Sequence, residues 1–541
     1  MKPIYYYLLS AFSGALLAIS FPPMPFNLLA FIGFVPLLLI LEQNPKRQII
    51  LIYIAFFVYH GISNWWIMGW QSGADPFLII AGIITWIVHP FFFMIPMSIF
   101  IYIKRLVGTD LALWYFPFIW VFFEWLHSLG ELAYPWLTIG YTQINNNLWV
   151  QFADITGVWG ISLVIVFLNV LFYKIIIQIR TQKYAGLKVK VSPILIALHL
   201  TLFLLPYVYG IFVKDDYNYD LDLKNNPTAR IAVIQPNINP WYKWESSVLK
   251  QIALHKNLQD SVRKAYGRLD LGIWSETAIG YYSYNMNVQH NFNLLQHWVD
   301  TSQTALLTGF ADIIIYPSSD VASVTAKDFL GDSSRKYDSY NSCLMLTPDD
   351  AENYQIYHKM KLTPFSERIP YIQQLPFMRD WFEWGVGISS WAPGDSQRTL
   401  KLAKSKDTIQ IAPIICIESI FPGFVAEFVN QGAGIIAIIT NDAWFDHTYG
   451  PMQHYDIARM RAIETRRYIA RSANTGVSGF IKPNGEDLIR LEQYASTALA
   501  ADIPVLTEKS FFVRYGNWLC YVSFLIVIIA FIHLIIVRKG K

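Results

Sequence analysis

Charge is what this sequence has least of. Only 15% of its 541 residues are Asp, Glu, Lys or Arg, against roughly 25% in an ordinary soluble domain. The net charge of +3 excludes a nucleic-acid binder built on basic patches. Three cysteines are too few for a small disulfide scaffold. Tandem repeats and low-complexity segments are also missing. Acidic residues are nearly absent from the first 213 positions, where only Glu42, Asp75, Asp110, Glu124, Glu131 and Asp154 occur.

What is present is apolar. Hydrophobic residues make up 54% and aromatics 16% of the chain. Apolar stretches run over 5–21, 24–41, 48–67, 77–102, 111–129, 157–177, 191–212 and 515–537. A bilayer-spanning helix needs about 20 such residues. The first two stretches share an FPPMPFN turn, and His89–Pro90 predicts a kink in the fourth. Although Lys2 before an apolar run looks like a signal peptide, further apolar stretches follow at once, so the run is expected to stay.

Lys and Arg set the orientation. Lys2, Lys46 and Arg47, Lys104 and Arg105, Arg180 to Lys190, and Arg538 to Lys541 mark alternate ends of these stretches. Eight spans with both termini in the cytoplasm satisfy every cluster. The expected organisation is a membrane domain of about seven helices over 1–213, an extracytoplasmic domain over 214–512, and a last span with a cytoplasmic tail over 513–541. Aromatics near 60–71 and 114–136 suit an interfacial belt, and Glu124 and Glu131 read as solvated groups at a membrane end.

The segment 214–512 has globular composition. Strands are predicted at 230–236, 271–276, 311–319, 340–348, 354–359, 409–418 and 432–442, with strand–turn–strand over 467–485. Helical patterns at 244–266 and 284–308, and a shorter one before 432, predict sheets covered by helices.

Three polar residues follow apolar strands: Glu276 in IWSET, Lys359 in IYHKMKL and Cys416 in PIICIES. Strand ends are common places for reactive groups in α/β domains. Taken singly, each has a bland reading: a cap, a solvated lysine, a buried small hydrophobe. A disulfide between Cys343 and Cys416 is also open, but the surroundings of Cys416 favour a free thiol. His447 and His454, with Asp442, Asp446 and Asp456 nearby, are of metal-ligand types, but structural hydrogen bonding of His454 is the expected role, with no metal or cofactor.

The ordered set of IAVIQPNIN, IWSET, YNS, LTPFSERIP, IICIES, NDAWF, GPMQH and RSANTGVSG, with YPWLTIGYTQ in the membrane part, resembles the nitrilase superfamily. Its membrane-embedded branch, the apolipoprotein N-acyltransferases, is the nearest likeness. The resemblance implies a multi-span α-helical membrane domain joined to an αββα sandwich. It matches Glu276 to the catalytic base, Lys359 to the catalytic lysine and Cys416 to the nucleophile. Glu367, Glu418 and Asn341 match supporting residues; Trp244, Trp444, Phe445 and Ile417 match the substrate site. Three positions depart from the pattern. Ile417 stands where tyrosine is common, Ser366 gives PFSE in place of PFGE, and Asp446 stands where glycine is usual.

The implied reaction moves an acyl chain from a phospholipid, through a cysteine thioester, to the N-terminal amine of a diacylated apolipoprotein. The implied partners are these substrates and membrane lipids, with no nucleic acid, and the protein is expected to be a monomer. The implied place is the bacterial inner membrane, with the catalytic domain in the periplasm. The alternative is a membrane-anchored nitrilase-like amidase acting on a small C–N substrate; a scaffold with a degenerate enzyme domain is less compatible with the intact Glu, Lys and Cys.

Overall fold

A computed structural model describes residues 3–69, 76–240, 243, 247–283, 289–318, 321–329, 332–375, 391–404 and 407–539. Every predicted apolar stretch carries helix. The N-terminal part contains α1 (Pro3–Ile19), α2 (Val35–Glu42), α3 (Gln48–Ser63), α4 (Pro76–Val88), α5 (Pro90–Val107), α6 (Thr109–Leu126), the single turn α7 (Ala153–Thr156), α8 (Val158–Tyr184) and α9 (Pro193–Lys214). Helix α10 (Tyr219–Asn225) follows, capped by the Asn218 side chain. Among the described residues, four helices are long and apolar enough to cross a membrane: 78–107, 158–184, 193–214 and 518–538. The helices over 3–19, 27–42 and 48–63 are shorter. The expected break falls at His89, where α4 ends and α5 begins on Pro90.

The remaining chain forms two sheets. Strands β1 (Thr228–Gln235), β2 (Leu271–Ile273), β3 (Ile279–Ser283), β4 (Ala305–Tyr316), β5 (Lys327–Phe329), β6 (Asp332–Leu346) and β7 (Gln355–His358) belong to the first. Strands β8 (Leu400–Lys404), β9 (Asp407–Ile415), β10 (Ile435–Thr440), β11 (Tyr468–Ala473), β12 (Gly479–Ile481) and β13 (Asp487–Arg490) form the second, and β14 (Thr497–Pro504) returns to pair with β1. The first sheet runs β14-β1-β2-β4-β6-β5, with β3 on β4 and β7 on β6; the second runs β13-β12-β11-β10-β9-β8.

Side-chain alternation explains the layering. On β1, Ile231 and Val233 join the core shared with β9, β10 and β11, while Ala232 and Ile234 join a separate core. That second core lies under α11 (Val248–Tyr266) and α12 (Gln289–Ser302). A strand buried on both faces must be apolar throughout, which is how IAVI reads. The outer face of the second sheet is covered by α13 (Pro422–Asn430) and α14 (Gly450–Thr465). The order is therefore α/β/β/α. Short α15 (Phe511–Tyr515) leads into α16 (Trp518–Lys539), which packs back on α5 and α6.

The α13/α14 layer is also where the two-sheet part meets the N-terminal helices. Glu464 on α14 accepts the backbone N–H of Val158 at 2.7 Å. Arg466 holds Asp154 at 2.9 Å. Gln453 on α14 accepts from the indole N–H groups of Trp66 (3.0 Å) and Trp136 (2.9 Å) and donates to the carbonyls of Pro22 (2.9 Å) and Ser63 (3.2 Å).

Three expectations are corrected at this level. Trp66, Trp120 and Trp136 are buried in this contact and in the helix core, so they do not form a belt toward headgroups. Glu124 is buried, accepting the Trp120 indole N–H at 2.9 Å and the Ile139 N–H at 2.7 Å. Glu131, by contrast, stays partly exposed while accepting the Tyr371 N–H at 2.7 Å. The strand predicted at 311–319 begins earlier, at Ala305, because the apolar run ALLTGF reads equally as helix or strand locally.

Candidate active site

Three strand ends converge. Glu276 lies three residues beyond β2, Lys359 directly follows β7, and Cys416 directly follows β9. Lys359 Nζ sits 3.1 Å from Glu276 Oε1 and 2.9 Å from Glu367 Oε1. Asn341, on β6, donates through Nδ2 to the same two oxygens at 2.7 and 2.9 Å. The second oxygen of each carboxylate is also held. Glu276 Oε2 accepts the Asn441 backbone N–H at 2.9 Å, and Glu367 Oε2 accepts the N–H and hydroxyl of Thr363 at 2.8 and 2.9 Å.

All four side chains are buried. Burial works against the Lys359 charge, but the carboxylates of Glu276 and Glu367 outweigh it and hold the ammonium above its ordinary range. Burial likewise opposes ionisation of Glu367, and Lys359 reverses this and holds its carboxyl below the usual value. Lys359 is therefore a fixed cation in a low-dielectric setting, where it acts strongly on any negative charge formed beside it.

Cys416 takes a left-handed backbone, φ 50°, which costs a non-glycine residue about 1–2 kcal/mol. Strand β9 ends there and a single tight turn, Cys416–Ile420, begins. Burial raises the thiol above its ordinary pKa, Glu276 pushes it further, and Lys359 opposes the rise. The lysine by itself favours the thiolate, but it does not win; the thiol form is favoured, and service as a nucleophile would require a base to take its proton. Cys343, Cys416 and Cys520 are all free.

Glu418 braces this turn. Its Oε2 accepts the Ile415 N–H at 2.9 Å; its Oε1 accepts the Tyr357 hydroxyl at 2.6 Å and the Met360 N–H at 2.7 Å. Burial pushes its carboxyl up to about 7, against the pull of those donors. Ile417 is buried in the main core. His454 Nδ1 lies 2.8 Å from Asp442 Oδ1, and its Nε2 lies 2.8 Å from Ser419 Oγ and 3.1 Å from the Cys416 carbonyl. Asp442 also accepts from Arg471 at 2.8 Å; burial opposes its charge, but Arg471 and His454 hold the carboxyl low. The Cys416, Asp442 and His454 ligand atoms lie within 4.8 Å of one another, but Asp442 and His454 are bonded to protein partners. His447 lies on the surface against Tyr494, away from that cluster's bonds.

The loop following β10 docks on the membrane helices. Phe445 packs edge-on against Trp66, ring centroids 4.7 Å apart, and Trp444 beside it is half-buried. Trp244 lies outside the described residues.

Two contributors escaped the sequence reading. Buried Lys243 donates to the Thr277 hydroxyl at 2.9 Å and the Glu276 carbonyl at 3.2 Å. Burial brings its ammonium down to about 8, while Glu276 pulls the other way. Gly309, on β4, lies under the same turn: a Cβ there would sit 2.5 Å from the Thr277 nitrogen and 2.7 Å from the Glu276 Cα. A glycine inside a strand is the sequence signal for such a close approach.

Residues 13–171 match the family model described as "Apolipoprotein N-acyltransferase N-terminal domain", and residues 230–510 match "Carbon-nitrogen hydrolase". Curated relatives span nearly the whole chain. A protein of Chlorobaculum tepidum named apolipoprotein N-acyltransferase is 34% identical over 529 residues, covering 95% of this chain and 93% of the relative. One of the same name from Geobacter metallireducens is 29% identical, covering 95% and 93%. A third, from Coxiella burnetii, is 26% identical, covering 94% and 96%.

Proposed function

The chain belongs to the apolipoprotein N-acyltransferase family, and on that footing we propose that it acylates the N-terminal amine of diacylated apolipoproteins with a chain taken from a phospholipid. The supporting observation is that buried Glu276 and Lys359, 3.1 Å apart, both act electrostatically on the half-buried thiol of Cys416.

The chemistry follows from that arrangement. Glu276 takes the thiol proton of Cys416 as sulfur attacks the ester carbonyl of the phospholipid. The Lys359 ammonium stabilises the oxyanion. The C–O ester bond breaks, the glycerol oxygen takes the proton from Glu276, and a lysophospholipid leaves behind a thioester on Cys416. The α-amine of the S-diacylglyceryl cysteine then attacks the thioester, Glu276 accepts the amine proton, and the Cys416 thiolate leaves and is reprotonated. The product carries an amide-linked chain, and the two half-reactions are ping-pong.

Glu367 and Asn341 hold Lys359 and Glu276 in register, and Glu418 fixes the turn of Cys416. By the family match, Trp244, Ile417, Trp444 and Phe445 are assigned to substrate binding. We assign 1–213 to the membrane domain, 214–512 to the catalytic domain and 513–541 to a final span and tail. From the Lys and Arg distribution, the catalytic domain faces the periplasm of the bacterial inner membrane, and the protein acts as a monomer.

The test is mass spectrometry of the protein after incubation with labelled phospholipid alone. A mass increase of one acyl chain on Cys416, absent in Cys416→Ala and discharged by a diacylated lipopeptide, is expected. An adduct persisting in Cys416→Ala would refute the nucleophile, and discharge only by water would favour an amidase-like hydrolase.

A further inference from the structure

At the end of the membrane helices remote from the catalytic part lies a cavity of about 720 Å³, within the usual range for ligand sites. It opens between the loop joining α2 to α3 and the junction of α5 with α6. Lys46, Arg47, Lys104 and Arg105 line it, and none of its lining residues is acidic. Of the nearby acids, Asp110 pairs with Lys174, and Glu42, outside the lining, acts electrostatically on the buried Lys104 and leaves Lys46, Arg47 and Arg105 as the cations of the opening.

The site is built, not merely charged. Lys104 is buried, with Nζ donating to the Leu41 carbonyl and to Asn44 Oδ1. Arg105 Nη2 donates to Gln48 Oε1 at 3.1 Å, and Arg47 Nη1 to the Tyr7 hydroxyl at 3.1 Å. Each of these bonds uses one of a guanidinium's five N–H groups and sets the direction of the rest. The sixteen-residue α3 starts here with no side-chain cap and no acid in its first turn, so its positive dipole end adds to the field. Ile49 and Ile50, next along α3, are about half exposed. A general bias of basic residues toward one membrane side requires no such convergence of cations in a concave site beside exposed apolar side chains.

We propose that this cavity binds the phosphate headgroup of an anionic phospholipid, whose acyl chains run along Ile49 and Ile50. Helix α3 separates it from Ser63, at the catalytic contact, by about 24 Å. It is thus a lipid site in the opposite leaflet, distinct from the acyl-donor site. The inference rests on the membrane reading of the helices and not on the catalytic chemistry.

The experiment takes purified full-length protein and adds phosphatidylglycerol, phosphatidylcholine or inorganic phosphate, with retained lipid counted by native mass spectrometry and melting followed in parallel. Phosphatidylglycerol should be retained and raise the melting temperature, and phosphatidylcholine should not. The double variant Arg47→Gln, Arg105→Gln should retain phosphatidylglycerol roughly thirty-fold more weakly, with the acylation rate within about twofold of the parent as its folding control. Arg47→Lys with Arg105→Lys should restore most of the binding. If the double glutamine variant does not fold, Lys46→Gln, at an exposed position, should show a smaller loss of about fivefold. Equal retention of phosphatidylcholine, or undiminished retention by the glutamine variants, would overturn the proposal. Stabilisation by inorganic phosphate matching that by the lipid would overturn the lipid and leave a free-anion site.

Discussion

Glu418, two residues past Cys416, accepts the backbone N–H of Met360, the residue after Lys359, at 2.7 Å. One buried carboxylate thereby ties the turn of Cys416 to the loop of Lys359. Every hydrogen bond described for it comes from a donor: Tyr357, Met360, Lys361 and Ile415. Glu418→Gln would present an amide N–H₂ to one of those donors. The expected result is a fall in kcat of at least about a hundredfold with KM little changed, and a stability loss of about 1–3 kcal/mol. Steady-state kinetics and denaturant melts check it.

Gly309→Ala should displace Glu276, the proposed base, through its backbone. The added methyl would press on the Glu276–Thr277 backbone from 2.5–2.7 Å, and this contact is backbone, which cannot swing aside. Overpacking of this kind costs about 1–3 kcal/mol. Acyl-enzyme formation should slow more than tenfold, and a small misplacement of a reacting group is sufficient for that. Single-turnover measurement of the thioester reads it directly.

Gln453→Ala should loosen the contact between the catalytic part and the membrane helices. The Trp136 indole N–H and the Pro22 carbonyl would lose the partner described here, at about 1–3 kcal/mol for each buried group left unsatisfied. The expected readout is a melting temperature lowered by several degrees, with faster hydrogen exchange at 63–68 and 134–137.

Lys243 carries a pH signature. Its ammonium titrates near 8 when folded and near 10.4 when unfolded. Between these values the unfolded chain binds more protons, so stability rises with pH, and the contribution is lost as pH falls through about 8. Lys243→Met should flatten that rise. Denaturant melts of both proteins from pH 7 to 10.5 provide the comparison, and a parallel slope in the variant contradicts the assignment.

The ends of the strands were the legible part. Glu276, Lys359 and Cys416 each follow a short apolar run, and a reactive polar residue there breaks the pattern visibly. Glu367 and Asn341 stand in short motifs, PFSE and YNS, and Glu367 accepts from both Lys359 and Asn341. What the sequence could not show comes from contacts across long separations. The Asn441 N–H that holds Glu276 is a backbone group with no signature of its own. Lys243 sits in an aromatic stretch that gives its charge no context. The tryptophans at 66 and 136 have the composition of a headgroup belt, but a glutamine more than 300 positions away draws both indoles inward. Glu124 was misread for the same reason, since its partners include a backbone N–H in a following loop.

Gln453 and His454 are consecutive on α14, one bonded to the membrane helices and the other to the carbonyl of Cys416. The step between them is about 1.5 Å along the helix axis. The backbone turn at Cys416 is therefore tied to the N-terminal helices through a rigid rod rather than through a hinge. Any tilt of the helices that Gln453 grips is thereby passed to the Cys416 turn as the displacement of one rigid body.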